Sequence, residues 1–325
     1  MGGTPLFANI ASFNVPVVIM EAMAAVFASN AGIVYSLLYG ILMCVENCFA
    51  KLALGITPAS FLIFARCVAI LCLTPFIEWD GASTLDTWDL CLYISCSIMG
   101  IFPYAILIDG LNYIGIGDAS AILFGGNVFL VSIIGHFALD EKLSFYDVAV
   151  LSIDVIGVVL VTKPSVIFGT EETQALLYQE RELGVILLLL AAICLAVWPV
   201  LGRMLQQRNS LYCVLLSSLH GFWGMFLAGM WITFEPDWVL PTSWEAILAV
   251  IGYIVFSIGQ LICATKALET EDAKSIGLSL TLSVAVSYIA QIVLFGESVD
   301  WTSTTGAVLV LICVIAVDCQ RLVKT

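Results

Sequence analysis

Leu183 to Leu205 reads LGVILLLLAAICLAVWPVLGRML. Its first twenty residues carry no charge. Coiled at 1.5 Å per residue they span roughly 30 Å, the thickness of a bilayer's hydrocarbon core. Charged residues bracket the run, with Glu180, Arg181 and Glu182 before it and Arg203 near its close. A helix that is apolar on every side has no face to offer water. The rest of the 325-residue chain repeats the pattern, being 61% hydrophobic and 11% charged with a mean hydropathy of +1.07. A soluble chain of this length needs far more polar surface. The composition predicts an all-α polytopic membrane protein.

Ten such stretches are expected. The first five run Ala31 to Leu54, Pro58 to Ile77, Trp88 to Ile108, Gly117 to Leu139 and Tyr146 to Thr162. The second five run Leu183 to Leu205, Leu211 to Phe234, Trp244 to Leu268, Ala273 to Phe295 and Thr302 to Cys319. Trp79, Trp88, Trp231, Trp238, Trp244 and Trp301 fall near predicted boundaries, where an indole prefers the membrane interface. The segments are continuously apolar and do not alternate, which argues against a β-barrel. Residues 1–30 form an N-terminal apolar segment. Val15 to Ala28 is short and holds Pro16 and Glu21, so an interfacial helix and a partial span both stay open. No Lys or Arg precedes it, unlike a secretory signal. Leu6 stands where myristoylation wants Ser or Thr.

Charge bias orients the chain. With ten spans and cytoplasmic termini, Lys142, Arg203, Arg208, Lys266, Lys274, Arg321 and Lys324 lie at inner ends. Lys51, Lys163 and Arg181 lie at outer ends, and seven against three favours a cytoplasmic C-terminus. Plasma membrane and endomembrane remain alternatives. The net charge of −14 comes mostly from loops, such as Glu171, Glu172, Glu180 and Glu182, and solvation explains it. It excludes a nucleic-acid partner. The eleven cysteines lie in or beside spans without a CxxC pair, so they read as packing residues. With His136 and His220 as the sole histidines, no histidine-rich metal site forms and no metal or cofactor is expected.

The chain repeats itself. Gly32 and Lys51 match Gly184 and Arg203 at one constant offset. Asp118-Ala119 corresponds to Asp272-Ala273 at a slightly larger one, and the stretch from Asp140 to Phe145 corresponds to Gly296 to Trp301. The halves are 31–163 and 183–325, joined by the polar connection 164–182. Five spans per half is an odd number, so the second half enters the membrane from the opposite side. Such inverted repeats are common among secondary transporters.

Three stretches carry a family resemblance. Thr57-Pro58-Ala59-Ser60-Phe61-Leu62-Ile63-Phe64-Ala65-Arg66 opens the second span. Gly117-Asp118-Ala119-Ser120-Ala121 leads into the fourth, which exits at Asp140-Glu141-Lys142-Leu143. Glu271-Asp272-Ala273-Lys274-Ser275 leads to Phe295-Gly296-Glu297 in the second half. Each half resembles an EamA-type domain of the drug/metabolite transporter superfamily, close to the solute-carrier family 35 type, over nearly all of Ala31 to Thr325. The resemblance implies two inverted five-helix repeats and metabolite transport. Relatives often carry a proline inside the fourth and ninth spans, where Asn127 and Ser283 stand here.

An ionisable side chain at membrane depth costs about 3 kcal/mol on insertion scales and needs a reason. Arg66 lies roughly 12 Å below the outer end of its span, and Glu46 lies at a similar depth. The short connection between their spans makes an Arg66–Glu46 ion pair available. It locks two helices, or Arg66 binds an anion and Glu46 balances it when the site is empty, or Arg66 snorkels toward the interface or lies nearer a span end than these boundaries place it. In the second half Trp198 and Pro199 match Glu46 and Asn47, offering an aromatic wall and a kink. His220 sits mid-span as a hydrogen-bond donor or a packing residue. Asp154 is also mid-span, and because its helix is peripheral in the resembled fold, the resemblance implies a helix–helix contact there. Ser275, Ser279, Ser283 and Ser287 form an i, i+4 row that either packs closely or lines a polar path. Arg66, Glu46, Asn47, Asn127, Trp198, His220, Ser279 and Ser283 are the candidate substrate-binding residues.

The expected function is secondary transport of a small polar or anionic metabolite by alternating access. No GxxxxGK[ST] loop is present, and no HExxH, GxSxG or clustered His/Asp set points to an enzyme. A divalent-cation transporter on the same fold is one alternative, opposed by Arg66. A non-transporting membrane adaptor or regulator is another, opposed by the short loops. The expected partners are the bilayer and a small-molecule substrate, with a homodimer left open.

Overall fold

In lipid every backbone N–H and C=O must find its partner within the chain, so apolar runs coil. The computed structural model describes residues 31–73, 85–139, 144–162, 181–208, 213–233, 240–270, 273–296 and 301–324. Among them no strand occurs. The helices, in chain order, are α1 (Ala31–Leu54), α2 (Ala59–Leu73), α3 (Thr87–Gly110), α4 (Ile116–Leu139), α5 (Phe145–Thr162), α6 (Arg181–Gln207), α7 (Cys213–Ile232), α8 (Trp244–Thr270), α9 (Ala273–Val293) and α10 (Trp301–Lys324). α1, α3, α4, α6, α7 and α8 hold windows long and apolar enough to cross a membrane. Ala59–Cys72, Leu282–Val293 and Trp301–Cys313 are shorter apolar helices. The segment 1–30 and the connection 163–180 lie outside the described residues.

Local chemistry explains the helix ends. Asp86 caps α3, its carboxylate accepting from the backbone N–H groups of Trp88 and Asp89. Trp88, Trp244 and Trp301 stand exposed at the starts of α3, α8 and α10, as interfacial indoles do. Trp79 and Trp238 lie outside the described residues. Pro199, expected to bend its span, lies inside α6, and Pro103 lies inside α3. Within α4 the residues Ala121–Gly125 form a π-helical segment between α-helical flanks.

Large apolar side chains face outward as well as inward. Ile186, Ile193, Ile251, Val255 and Ile312 are all exposed, on helices whose other sides are buried. That surface suits lipid, not water.

Helix α1 packs mainly on α8 and α9, α3 on α6, α2 on α7, α4 on α6 and α9, and α5 on α10. Side chains fix the directions. Gly252 of α8 lies against Phe49 and Gly259 against Leu42, so α1 and α8 are antiparallel. Arg208, just past α6, reaches Asp86 and Asp89 at the start of α3, which makes that pair antiparallel too. Lys51 at the end of α1 sits 5.0 Å from the Phe295 ring just beyond α9, so those two run parallel. α1 and α2, expected as close neighbours, touch along little of their length.

Candidate functional site

The cost of burying Arg66 is met from four helices. Its side chain is 1% exposed. It lies in α2 with Nε 3.6 Å from Glu46 Oε1 of α1. Nε also donates to the Ser257 hydroxyl of α8. Nη1 lies 3.2 Å from His220 Nε2 of α7. Arginine has only donors, so His220 Nε2 accepts and its hydrogen sits on Nδ1. The guanidinium carbon stands 3.9 Å from the Tyr104 ring centroid of α3, a cation–π geometry. The Tyr104 hydroxyl in turn donates to Glu46 Oε1. The expected Arg66–Glu46 pair therefore exists, but within a network that joins both halves of the chain.

Two close approaches build this centre. Gly221 and Gly224 let α7 settle on α2, since an added Cβ would meet Ile70, Leu71 and Cys67. That seating brings His220 to Arg66. A Cβ on Gly100 would stand 2.8 Å from Trp198 Cδ1 and 3.1 Å from His220 Nδ1. The bare backbone of α3 is what lets both rings reach the centre.

Beside the guanidinium is a cavity of about 30 Å³. Arg66, Tyr104 and His220 line it with Tyr39, Trp198 and Gln260. The Tyr39 and Trp198 rings lie tilted with centroids 6.3 Å apart. That volume has room for a few waters. Two buried acceptors of this region lack a hydrogen-bond partner, Gln260 Oε1 on the cavity wall and Glu46 Oε2, which does not line the cavity.

The other candidates lie apart. Asn47 and Asn127 are fully buried, with amides that find no partner, but neither lines the cavity. Ser283 is buried, and its hydroxyl donates to Leu280 O in its own helix. The side chains of Ser275 and Ser279 lie outside the described residues. Asp154 is buried on α5, the helix that packs on α10. Ser287, the last of the serine row, bonds to Ser120 of α4 at 2.8 Å. Near it Gly117 N–H donates to Gln291 Oε1 at 2.8 Å, and the Tyr288 hydroxyl donates to Asp118 at 2.7 Å. This ladder ties the start of α4 to the close of α9. Tyr104, Ser257, Gln260 and Gly100 were not singled out by sequence. A tyrosine, serine, glutamine or glycine in an apolar helix costs too little to signal itself.

The chain is similar to known proteins. A model described as the EamA-like transporter family matches residues 7–163 and 182–317. Solute carrier family 35 member G1 of Mus musculus is 24% identical over 308 residues, covering 93% of this chain and 82% of that protein. The S-adenosylmethionine uptake transporter of Rickettsia bellii (strain RML369-C) is 25% identical over 243 residues, covering 74% of this chain and 76% of that protein. A solved crystal structure superposes with a TM-score of 0.64 at 16% identity, covering 90% of this chain and 99% of the other, which is a likeness of fold.

Proposed function

Since the chain belongs to the EamA-like transporter family, a family of multi-pass membrane transporters, we propose that it carries a small polar or anionic metabolite by alternating access, with Arg66 as the substrate's counter-charge. One observation carries this reading. A buried arginine lines a cavity where helices of both halves meet, bonded to Ser257 and His220 of the second half. A structural ion pair needs two helices, whereas a gated site needs the boundary between moving parts.

Packing supports the two inverted halves. Exchange α1 with α6, α3 with α8 and α4 with α9, and the α1–α8 contact becomes α6–α3, while α1–α9 becomes α6–α4. α2–α7, α4–α9 and α5–α10 map onto themselves. A repeat related by a two-fold axis in the membrane plane has this property. The cytoplasmic C-terminus follows from the charge bias. The names of the Rickettsia relatives make S-adenosylmethionine one compound to include among candidates. A dication would meet the guanidinium's repulsion at the cavity wall, which weighs against the cation alternative.

Uptake into proteoliposomes against a metabolite panel, with thermal stabilisation as a first screen, tests the proposal. At least one compound is expected to be carried by the wild type and not by Arg66→Ala. Uptake that survives in Arg66→Ala, or that returns in the double variant Arg66→Ala/Glu46→Ala, would remove Arg66 from substrate binding.

A further inference from the structure

The repeat pairs Lys51 with Arg203 at the spacing that pairs Gly32 with Gly184. Packing carries that match into three dimensions. On α1, about two turns before Lys51, Cys44 accepts from the Ser287 hydroxyl of α9. The residue that matches Cys44 is Ala196, about two turns before Arg203 on α6. Ala196 clusters with Val131 of α4. Val131 in turn matches Ser287 at the spacing that pairs Asn127 with Ser283. One contact is therefore the image of the other under the exchange of halves. Two turns bring a helix back to nearly the same face. Lys51 thus extends the row of Cys44 toward the close of α1, and Arg203 extends the row of Ala196 toward the close of α6. Both rows begin at the cavity, which Met43 and Leu195 line, each next in sequence to the residue that starts the row. Since the two helices cross in opposite senses, one cation stands toward each end of the route through Arg66.

The surroundings of both cations suit an arriving anion. Lys51 Nζ lies 5.0 Å from the Phe295 ring, at the closes of α1 and α9. Arg203 Nη1 lies 3.4 Å from Gln206 Oε1, and the Gln206 amide donates to Glu269 O of α8. Arg203 Nε is buried and has no hydrogen-bond partner. A buried donor on a cation is satisfied by an acceptor, best of all an ionised one. The net charge of −14 makes the chain as a whole repel an anion. A substrate countered by Arg66 therefore needs positive charge at the mouth it enters. We infer that Lys51 and Arg203 are the entry residues of the two faces, each holding the anionic group of a substrate from its own side and passing it to Arg66. The inference rests on the transport reading above, with Arg66 as counter-charge.

Uptake measured separately from each face tests this. The full chain is reconstituted in one orientation through a C-terminal tag. The probes are radiolabelled succinate, lactate, phosphate and S-adenosylmethionine, with any further panel compound that the wild type carries. Lys51→Gln is expected to raise KM from the face where α1 closes by about threefold or more, leaving KM from the other face within about twofold. Arg203→Gln is expected to do the reverse. Salt added to one face should raise the wild-type KM there and change it far less in the variant of that face, whose screened charge is gone. Lys51→Arg and Arg203→Lys keep the charge and should restore most of the affinity. Gly55 and Gln207 are exposed about one turn past the two cations. Gly55→Glu and Gln207→Glu oppose each cation without removing it, and should raise KM on the same face even if a glutamine variant fails to fold. A KM unchanged from both faces, or raised equally from both, overturns the inference, while Arg66-dependent uptake in the same vesicles keeps the transport reading. If the wild type carries no compound of the panel, the transport reading itself falls and the inference falls with it.

Discussion

Arg66 is where one substitution has the most to say. Alanine there leaves Glu46 buried with the Tyr104 hydroxyl and no counter-charge, a loss of about 3–5 kcal/mol. Arg66→Lys is gentler, because a lysine keeps the charge but lacks the planar fork that reaches Ser257 and His220 together. One charge-assisted hydrogen bond is worth about 1.5–3 kcal/mol, so KM for the best substrate should rise at least about tenfold in Arg66→Lys while the protein stays monodisperse. Uptake kinetics and size-exclusion profiles decide it, and an unchanged KM would show that charge alone suffices. Gly100→Ala acts on the same centre through volume. Its Cβ would press on Trp198 and His220, and overpacking of this kind costs about 1–3 kcal/mol. A lower melting temperature with weaker substrate stabilisation is expected. Arg66, Glu46, Trp198 and His220 were legible in the sequence because charge, indole and imidazole are conspicuous in an apolar helix. Asn47 and Asn127 were equally conspicuous but face other neighbours, since depth can be read from sequence while helix rotation cannot.

Helix limits were legible for a different reason. The bilayer forces full backbone pairing, so each apolar run coils until a polar cluster, a cap or an interfacial indole ends it. The π-helical segment Ala121–Gly125 carried no such signal, being built from residues that suit an α-helix equally. The serine row of α9 shows what one face can hide. Ser283 gives its hydroxyl to Leu280 O and does not line the cavity. Ser283→Ala should therefore leave substrate affinity unchanged, and Ser283→Leu should lower the melting temperature sharply. An altered KM in Ser283→Ala would return the residue to the path. The ladder between α4 and α9 ends in Tyr288 on Asp118 and Gln291 on Gly117. If that end parts during transport, removing the bonds should favour its opening. Tyr288→Phe with Gln291→Leu is expected to raise labelling of a Ser120→Cys probe by an impermeant thiol reagent several-fold, on a cysteine-depleted background. Equal labelling would mean that the ladder is static.

The whole bundle constrains which ends share a face. Arg208 past the end of α6 meets Asp86 and Asp89 at the start of α3. Gln206 near the end of α6 donates to Glu269 O near the end of α8. Tyr146 at the start of α5 donates to Ala316 O toward the end of α10. Lys51 and Phe295 meet at the other ends of α1 and α9. Each of these contacts is what strict alternation of the helices across a bilayer requires. Alternation predicts that the connection 164–182 faces away from the close of α10, and the charge bias predicts that the latter face is cytoplasmic. The test uses single cysteines at Thr173 and Lys324 on a cysteine-depleted chain in sealed vesicles of known orientation. An impermeant maleimide should reach one position from outside and the other only after permeabilisation. Nine cysteines among the described residues are free, and six of those are buried, so their replacement needs small apolar residues to preserve packing. Labelling of both positions from one side would break the alternation and with it the inverted repeat. Labelling of opposite sides, with Lys324 exposed on the non-cytoplasmic face, would keep the repeat and reverse the chain in the membrane.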